Sequence, residues 1–217
     1  GTELTPRDAT LQGWDDIPEE QHEFQTRGME LFAGFVEHTD RQVGRLIDGL
    51  DDRGLRDNTL IFYIFGDNGS SAEGQRGSIS ELLAQNNIPN TIEQQLEALD
   101  RIGGIEELGG PRTENMYHAG WAWAGNAPFK GTKLLGAYFG GTRNPMVINW
   151  PGRIDHDGQM RTQFHHVVDI APTIYAVLDI PPPQVVNGHT QIPMDGVSLA
   201  YTFGDADAAP HKTEQLL

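Results

Sequence analysis

The stretch YIFGDNGSSAEG, residues 63–74, sets a carboxylate beside a carboxamide, Asp67 and Asn68, between two glycines. Oxygens of these two types are hard ligands that suit Ca²⁺ or Mg²⁺, and Gly66 and Gly69 allow the sharp backbone path that aims both the same way. Asp-Asn-Gly is also good turn chemistry with no ion at all, and the tripeptide alone leaves both readings open. Lys130 and Lys133, in FKGTK, read by themselves as solvated surface lysines. His118 lies beside Tyr117 and ahead of Trp121 and Trp123, where it could line a pocket for an aromatic ligand or be packed in the core. His165 and His166 are adjacent, and neighbours on a helix do not face one another, so the pair reads as a helix start with one member packed rather than a shared metal site. Arg143, in GGTRNP, reads as a structural ion-pair partner or a loop anchor, and the acidic run Asp205 to Asp207 as a solvated turn.

The elements that must position these groups alternate between helical and extended patterns, with no internal repeat. After DDIP, where Asp15 or Asp16 can cap and Pro18 suits a first turn, the spacing predicts a helix over about 18–51. Phe24, Leu31, Phe32, Phe35, Val43, Leu46, Ile47 and Leu50 form its apolar face, and Gly54 ends it. The run TLIFYIF, 59–65, is apolar on both parities, which predicts a central strand covered on both faces and delivering the Asp-Asn turn at its carboxyl end. That is where open α/β sheets bind their ligands. Residues 79–108 read as a mainly helical excursion, with Ile92, Leu96, Leu99 and Ile102 on one face and Pro89 dividing two pieces. NPMVINWPG (144–152) predicts a second strand and HHVVDIAPTIYAVLDI (165–180) a helix. The tail from PPPQ (181–184) is loop-rich up to MDGVSLAYTF (194–203). This order predicts an α/β fold with a mostly parallel sheet flanked by helices.

Composition narrows the partners. With 217 residues the chain can hold one sizeable core, and one domain is the simpler reading. Fifteen Lys and Arg stand against 31 Asp and Glu, a formal charge of −16 that repels phosphate backbones and anionic membranes, so neither nucleic acid nor membrane is an expected partner. A small anion remains a possible ligand where a local cation or metal ion overrides the global sign. The absence of Cys excludes disulfides, thiolate zinc sites and a Cys nucleophile from this chain, and leaves its compartment unread. No run reaches the roughly 18 apolar residues of a membrane span, and the first residues lack the order of a signal peptide.

DNTLIFYIFGDNG, with FVEHTDRQVGRLIDGLDDRGL before it, resembles the sulfatase family of the alkaline phosphatase superfamily, in which a helix feeds a strand that ends in a metal-binding Asp-Asn. YHAGWAWAGNAPFKGTKLLGAYFGGTRNPMVINWPG (117–152) resembles that family's segment with an active-site lysine and a following Gly-Gly-x-Arg-x-Pro, and HHVVDIAPTIYAVLDI its next helix. The likeness is nearest to the bacterial arylsulfatase type. It implies an alkaline-phosphatase-like fold and hydrolysis of a sulfate ester to an alcohol or phenol plus inorganic sulfate. Asp67 and Asn68 would then be two ligands of one divalent cation, usually calcium with magnesium as the alternative. Lys133 would be the lysine that contacts the sulfate group, with Lys130 as its nearby competitor, and His118 a possible wall of the substrate pocket.

The same likeness implies parts that this sequence does not contain. The family's nucleophile is a formylglycine made from Cys or Ser in a C/S-x-P-x-R segment, accompanied by two more metal-binding aspartates, a leaving-group histidine and a second lysine. All would lie upstream of residue 1, and a further subdomain beyond residue 217. Residues 1–217 therefore read as the carboxy-terminal part of a sulfatase catalytic domain, cut at both ends, needing the remainder of the parent chain and showing no significant turnover alone. Two other readings stay open. One is a phosphonate or phosphodiester hydrolase of the same superfamily, although such enzymes typically carry Asp-His at this position, where a nitrogen ligand suits Mn, Fe or Zn. The other is a noncatalytic binding module on the sulfatase fold.

Overall fold

The computed structural model describes residues 3–154 and 158–215. The chain divides into two compact units, one formed by Gly1–Gly49 with Phe62–Val147, the other by Leu50–Ile61 with Ile148–Leu217. No helix among the described residues is long and apolar enough to cross a membrane.

Helix α1 spans His22–Asp51 after a 3-10 turn at Glu19–Gln21. Its end follows from Gly54, which takes φ +62 and donates its N–H to Asp51 O, while Leu55 N–H reaches back to Leu50 O. The excursion contains α2, Glu81–Gln85, and α3, Ile92–Ile102. Thr91 opens α3 with a capping box: its hydroxyl accepts from Gln94 N–H, and Gln94 Oε1 accepts from Thr91 N–H.

Far from being an appendage, the excursion builds the core of the first unit. Phe24 of α1 packs with Ile92, Leu99 and Leu108, and Leu31, Ile79, Leu96, Ile102 and Ile105 close around them. Leu99 is fully buried, a contribution of about 1.5–3 kcal/mol by area. Two buried amides tie the neighbouring loop to this core. Gln25 donates to Arg76 O, and Gln95 Oε1 accepts from Ile79 N–H.

Strand β1, Ile61–Ile64, and strand β2, Met146–Asn149, are hydrogen-bonded neighbours in a two-stranded sheet. The other sheet among the described residues pairs β3, Val185–Val186, antiparallel to β4, His189–Thr190. The larger, mostly parallel sheet expected from the sequence is therefore not present among the described residues. Nor is β1 covered on both faces: Ile64, Phe65 and Val147 are exposed, as are Phe35 and Leu46 on the expected apolar face of α1. The physical reason is supply. A strand apolar on both parities needs layers on each side, and apart from β2 the chain spends its apolar runs on helical periods.

In the second unit, a 3-10 turn at Val167–Asp169 runs into α6, Ile170–Leu178. His166 caps the turn through Nδ1, as a helix-start histidine should, while His165 is exposed. Asp169 is completely buried and gathers the unit around it. Its carboxylate accepts from Lys212 Nζ at 2.6 Å, His166 N–H at 2.7 Å and Val197 N–H at 2.9 Å. Thr173 continues the link, donating to Asp169 O and accepting from Leu199 N–H. The run Asp205 to Asp207 is the turn the sequence suggested, closed by Asp207 N–H on Asp205 Oδ1.

Candidate functional site

Asp67 and Asn68 leave the end of β1 in a turn whose flanking glycines both adopt left-handed backbone, Gly66 at φ +78 and Gly69 at φ +81. The turn is held from three sides. Gly69 N–H donates to Asn144 Oδ1, Ser70 N–H to Asn126 Oδ1, and Ser70 O accepts from Lys133 N–H, each at 3.0 Å. Asn126, the last residue of helix α4 (Ala119–Asn126), also donates Nδ2 to Gly131 O, so one amide joins the Asp-Asn loop to the lysine loop.

Close backbone contact explains the Gly-Gly of the following segment, which sits in the short helix α5, Phe139–Thr142. A Cβ on Gly69 would lie 1.8 Å from Gly140 O, and one on Gly140 would lie 2.0 Å from Gly131 O. Gly140 N–H also donates to Lys130 O. Three loops thus meet with no room for side chains between them. The loop that carries Lys133 is thereby pressed onto the loop that carries Asp67 and Asn68.

Lys133 is half-buried, and its Nζ makes a 2.6 Å ion pair with Glu73 Oε2. Ser71 Oγ donates to the same carboxylate oxygen at 2.8 Å. The bond to Glu73 raises the Lys133 pKa, against a smaller opposing effect of burial, with the charges of Glu73, Asp67 and Glu81 adding to it. The carboxyl of Glu73 is held below its usual range, first by Lys133 and then by Ser71. Lys130 points elsewhere, its Nζ 4.8 Å from the centre of the Tyr138 ring. Arg143 lies over the rings of Phe129 and Phe139, the loop anchor suggested by the sequence.

The side chains of Asp67 and Asn68 lie close together. In the hydrogen-bonded assignment, Asn68 Nδ2 donates to Asp67 Oδ1 at 3.1 Å and Gly69 O at 3.3 Å. Turning the amide over puts its oxygen at the same point beside two others, a cluster that a bound cation would hold together. Hard oxygens on a glycine-flanked turn, with Asp67 exposed and Asn68 half-buried, fit Ca²⁺ or Mg²⁺. They make a partial shell: among the described residues, no group of three or more His, Cys, Asp or Glu side chains could hold a metal ion.

His118 stands apart from this cluster. It is buried at 4% exposure and caps α4, its Nδ1 accepting from Gly120 N–H at 2.9 Å. The ring proton therefore belongs on Nε2, which is buried without a partner among the described residues. Burial lowers the His118 pKa, and the nearby charge of Arg76 lowers it further, so both favour the neutral ring. No hydrogen bond or ion pair joins it to Asp67, Asn68 or Lys133 among the described residues. Beside it in sequence, Tyr117 and Met116 line a groove of about 380 Å³ with Leu31, Phe32, Phe35 and Ser71.

Sequence reasoning missed Glu73, Asn126 and Asn144. Asn144 stands before a proline in the Gly-Gly segment and carried a local hint, whereas Glu73 meets its lysine across 60 residues of chain. Comparison with known proteins bears on the whole segment. The Sulfatase family model matches residues 10–180. An uncharacterized sulfatase of Schizosaccharomyces pombe is 32% identical over 174 residues, covering 79% of this chain and 28% of that protein. An arylsulfatase of Klebsiella aerogenes is 26% identical over 187 residues, covering 86% of this chain and 37% of its own length. Human Arylsulfatase D is 25% identical over 166 residues, covering 76% and 21%. The chain thus spans little more than a third of these relatives at most, the family model covers the three motifs quoted above, and the chain belongs to the sulfatase family.

Proposed function

We propose that residues 1–217 are the later part of a sulfatase catalytic domain and supply part of the site for hydrolysing a sulfate ester to an alcohol or phenol and inorganic sulfate. The observation that carries this reading is the joining of two loops. Lys133 N–H bonds to Ser70 O, so a protonated lysine stands within the electrostatic reach of Asp67.

Asp67 and Asn68 would hold a divalent cation, Ca²⁺ or Mg²⁺, through their side-chain oxygens. When bound, that ion supplies positive charge beside the sulfate oxygens and orients the ester. Lys133 faces the same anion with an ammonium that stays charged, placing positive charge where the non-bridging oxygens gain negative charge as the ester bond breaks. The Asn126 and Asn144 amides keep both loops in register, so these charges need not reorganise during the reaction. The nucleophile, a formylglycine, and the remaining ligands belong to the rest of the parent chain in this reading, and the isolated 217 residues are expected to show no significant turnover.

The test uses the full-length enzyme and an aryl sulfate whose phenol is coloured. Asp67→Ala and Lys133→Ala are each expected to lower kcat/KM by about 10²–10³, the size of losing one preorganised electrostatic contact. Excess Ca²⁺ should partly restore Asp67→Ala and leave Lys133→Ala unchanged. Wild-type rates in both variants would overturn the assignment. Turnover by the purified 217-residue chain, free of contaminants, would overturn the division of the site.

A further inference from the structure

Glu73 is engaged by neither the metal turn nor the sulfate in the reading above, yet it makes the shortest described contact to the lysine. Its Oε2 receives two donors at once, Lys133 Nζ at 2.6 Å and Ser71 Oγ at 2.8 Å. Glu73 N–H in turn donates to Ser71 Oγ at 3.3 Å, so the carboxylate is tethered to its own backbone and has little freedom to follow the lysine. Both members of the ion pair are sheltered, at 29% and 26% side-chain exposure. This is a charge-assisted bond outside the range of the freely solvated surface pair.

A lysine carries a long flexible stem and a compact charge with three rotatable donors. Its backbone is fixed at Ser70, but four torsions separate that anchor from Nζ. One strong bond at the tip removes most of that freedom and leaves two N–H groups for another anion.

We infer that Glu73 is a positioning residue for Lys133: it holds the ammonium at one place in the site before substrate arrives, with Ser71 fixing Glu73 in turn. This inference rests on the reading in which Lys133 contacts the sulfate group. It adds to that reading a residue that acts through the lysine rather than on the ester.

The experiment is a double-mutant cycle in the full-length enzyme, with kcat and KM measured for an aryl sulfate and folding followed by thermal melting. Glu73→Ala is expected to lower kcat by about tenfold or more, the worth of a charge-assisted hydrogen bond converted to a rate, with KM within about threefold. Glu73→Gln keeps the length and an acceptor oxygen but not the charge, so it should recover part of that loss. In a Lys133→Ala background, Glu73→Ala should have no further effect on kcat, because there is no ammonium left to place. A purely structural glutamate would instead lower the melting temperature and cost the same factor with or without the lysine, and that additive result overturns the inference. An equal loss in Glu73→Gln also overturns it, because a side chain of the same length with an acceptor oxygen would then place nothing. If Lys133→Ala is itself as active as the wild type, the lysine's role falls and this inference falls with it. A large Lys133→Ala effect with an inert Glu73→Ala removes the positioning role alone.

Discussion

Asp169→Asn should be among the most damaging single-atom exchanges in the second unit, and the structure says by how much. The carboxylate is completely buried and serves three donors, with Lys212 Nζ and Val197 N–H on Oδ1 and His166 N–H on Oδ2. An amide has one oxygen. Whichever way it turns, an NH₂ faces either a backbone N–H or the ammonium, and the ion pair is lost. Breaking a buried pair by removing one partner costs about 3–5 kcal/mol, and because Lys212 keeps 12% exposure through which water can reach it, the low end, about 3 kcal/mol, applies. Against a total stability of about 5–15 kcal/mol this is a large fraction. With a urea slope of about 2 kcal/mol/M, the midpoint should fall by roughly 1.5 M, read by far-ultraviolet circular dichroism.

The same substitution should change the acid response. Burial raises the Asp169 pKa, but Lys212 and the two backbone N–H groups together outweigh it and leave the pKa below the ordinary value. A carboxylate depressed in the folded state adds stability above its unfolded pKa of about 3.9 and loses it as pH falls towards the folded value. Asp169→Asn should lack that part of the acid slope. A loss under about 1 kcal/mol, or an unchanged acid slope, would refute the account of Asp169 as the organiser of this unit.

Further outcomes follow from the first unit. The His118 pKa is lowered by burial, so below about pH 6.5 the unfolded chain takes up a proton that the folded one refuses, and stability falls with pH towards the folded value. His118→Asn, which keeps a capping acceptor, should flatten that slope in urea melts at pH 5–7, and an undiminished slope would exclude His118 as its source. In Gly140→Ala the new methyl would meet Gly131 O at 2.0 Å and Lys130 O at 2.7 Å. It should cost about 1–3 kcal/mol in a melt and, on the proposed reading, at least tenfold in aryl sulfate turnover by the full-length enzyme, whereas full activity there would show that the lysine loop tolerates displacement.

What the sequence disclosed, and what it concealed, divides along the range of the interaction. The 30 residues of α1, the stop at Gly54, the split at Pro89 and the two apolar strand runs are written in local spacing and turn chemistry. The helix over Ala119–Asn126 was not legible, because AGWAWAGN contains two glycines and no apolar period. The β3–β4 hairpin could have been read: Asn187 and Gly188 both take positive φ, the signature of an Asn-Gly hairpin turn, and valines precede it. Asp67 and Asn68 are legible as a candidate ligand pair by residue type, and Lys133 only through the likeness of its segment to the family's lysine segment. Glu73 and Lys212 are not, since each meets its partner only after dozens of intervening residues have folded back, and an isolated Glu or Lys in sequence is ordinarily solvated. The same limit hid the role of the 79–108 excursion, whose apolar stripe showed a helix but not that Phe24 would be its partner.

The Asp169 carboxylate also has a meaning for how this segment tolerates changes of length. It grips the chain on both sides of the β3–β4 hairpin, at the turn that enters α6 and again at Val197. Everything from Leu178 to Asp195 is exposed between those two grips. Neither fastening depends on the hairpin's own contacts, and enlarging a flexible loop costs only about 0.6 kcal/mol for each doubling of its length. The tip at Asn187 and Gly188 is therefore a natural insertion point, where an epitope, a fluorophore-bearing peptide or a tether to a surface can be spliced in while α6, Val197 and Lys212 keep their places.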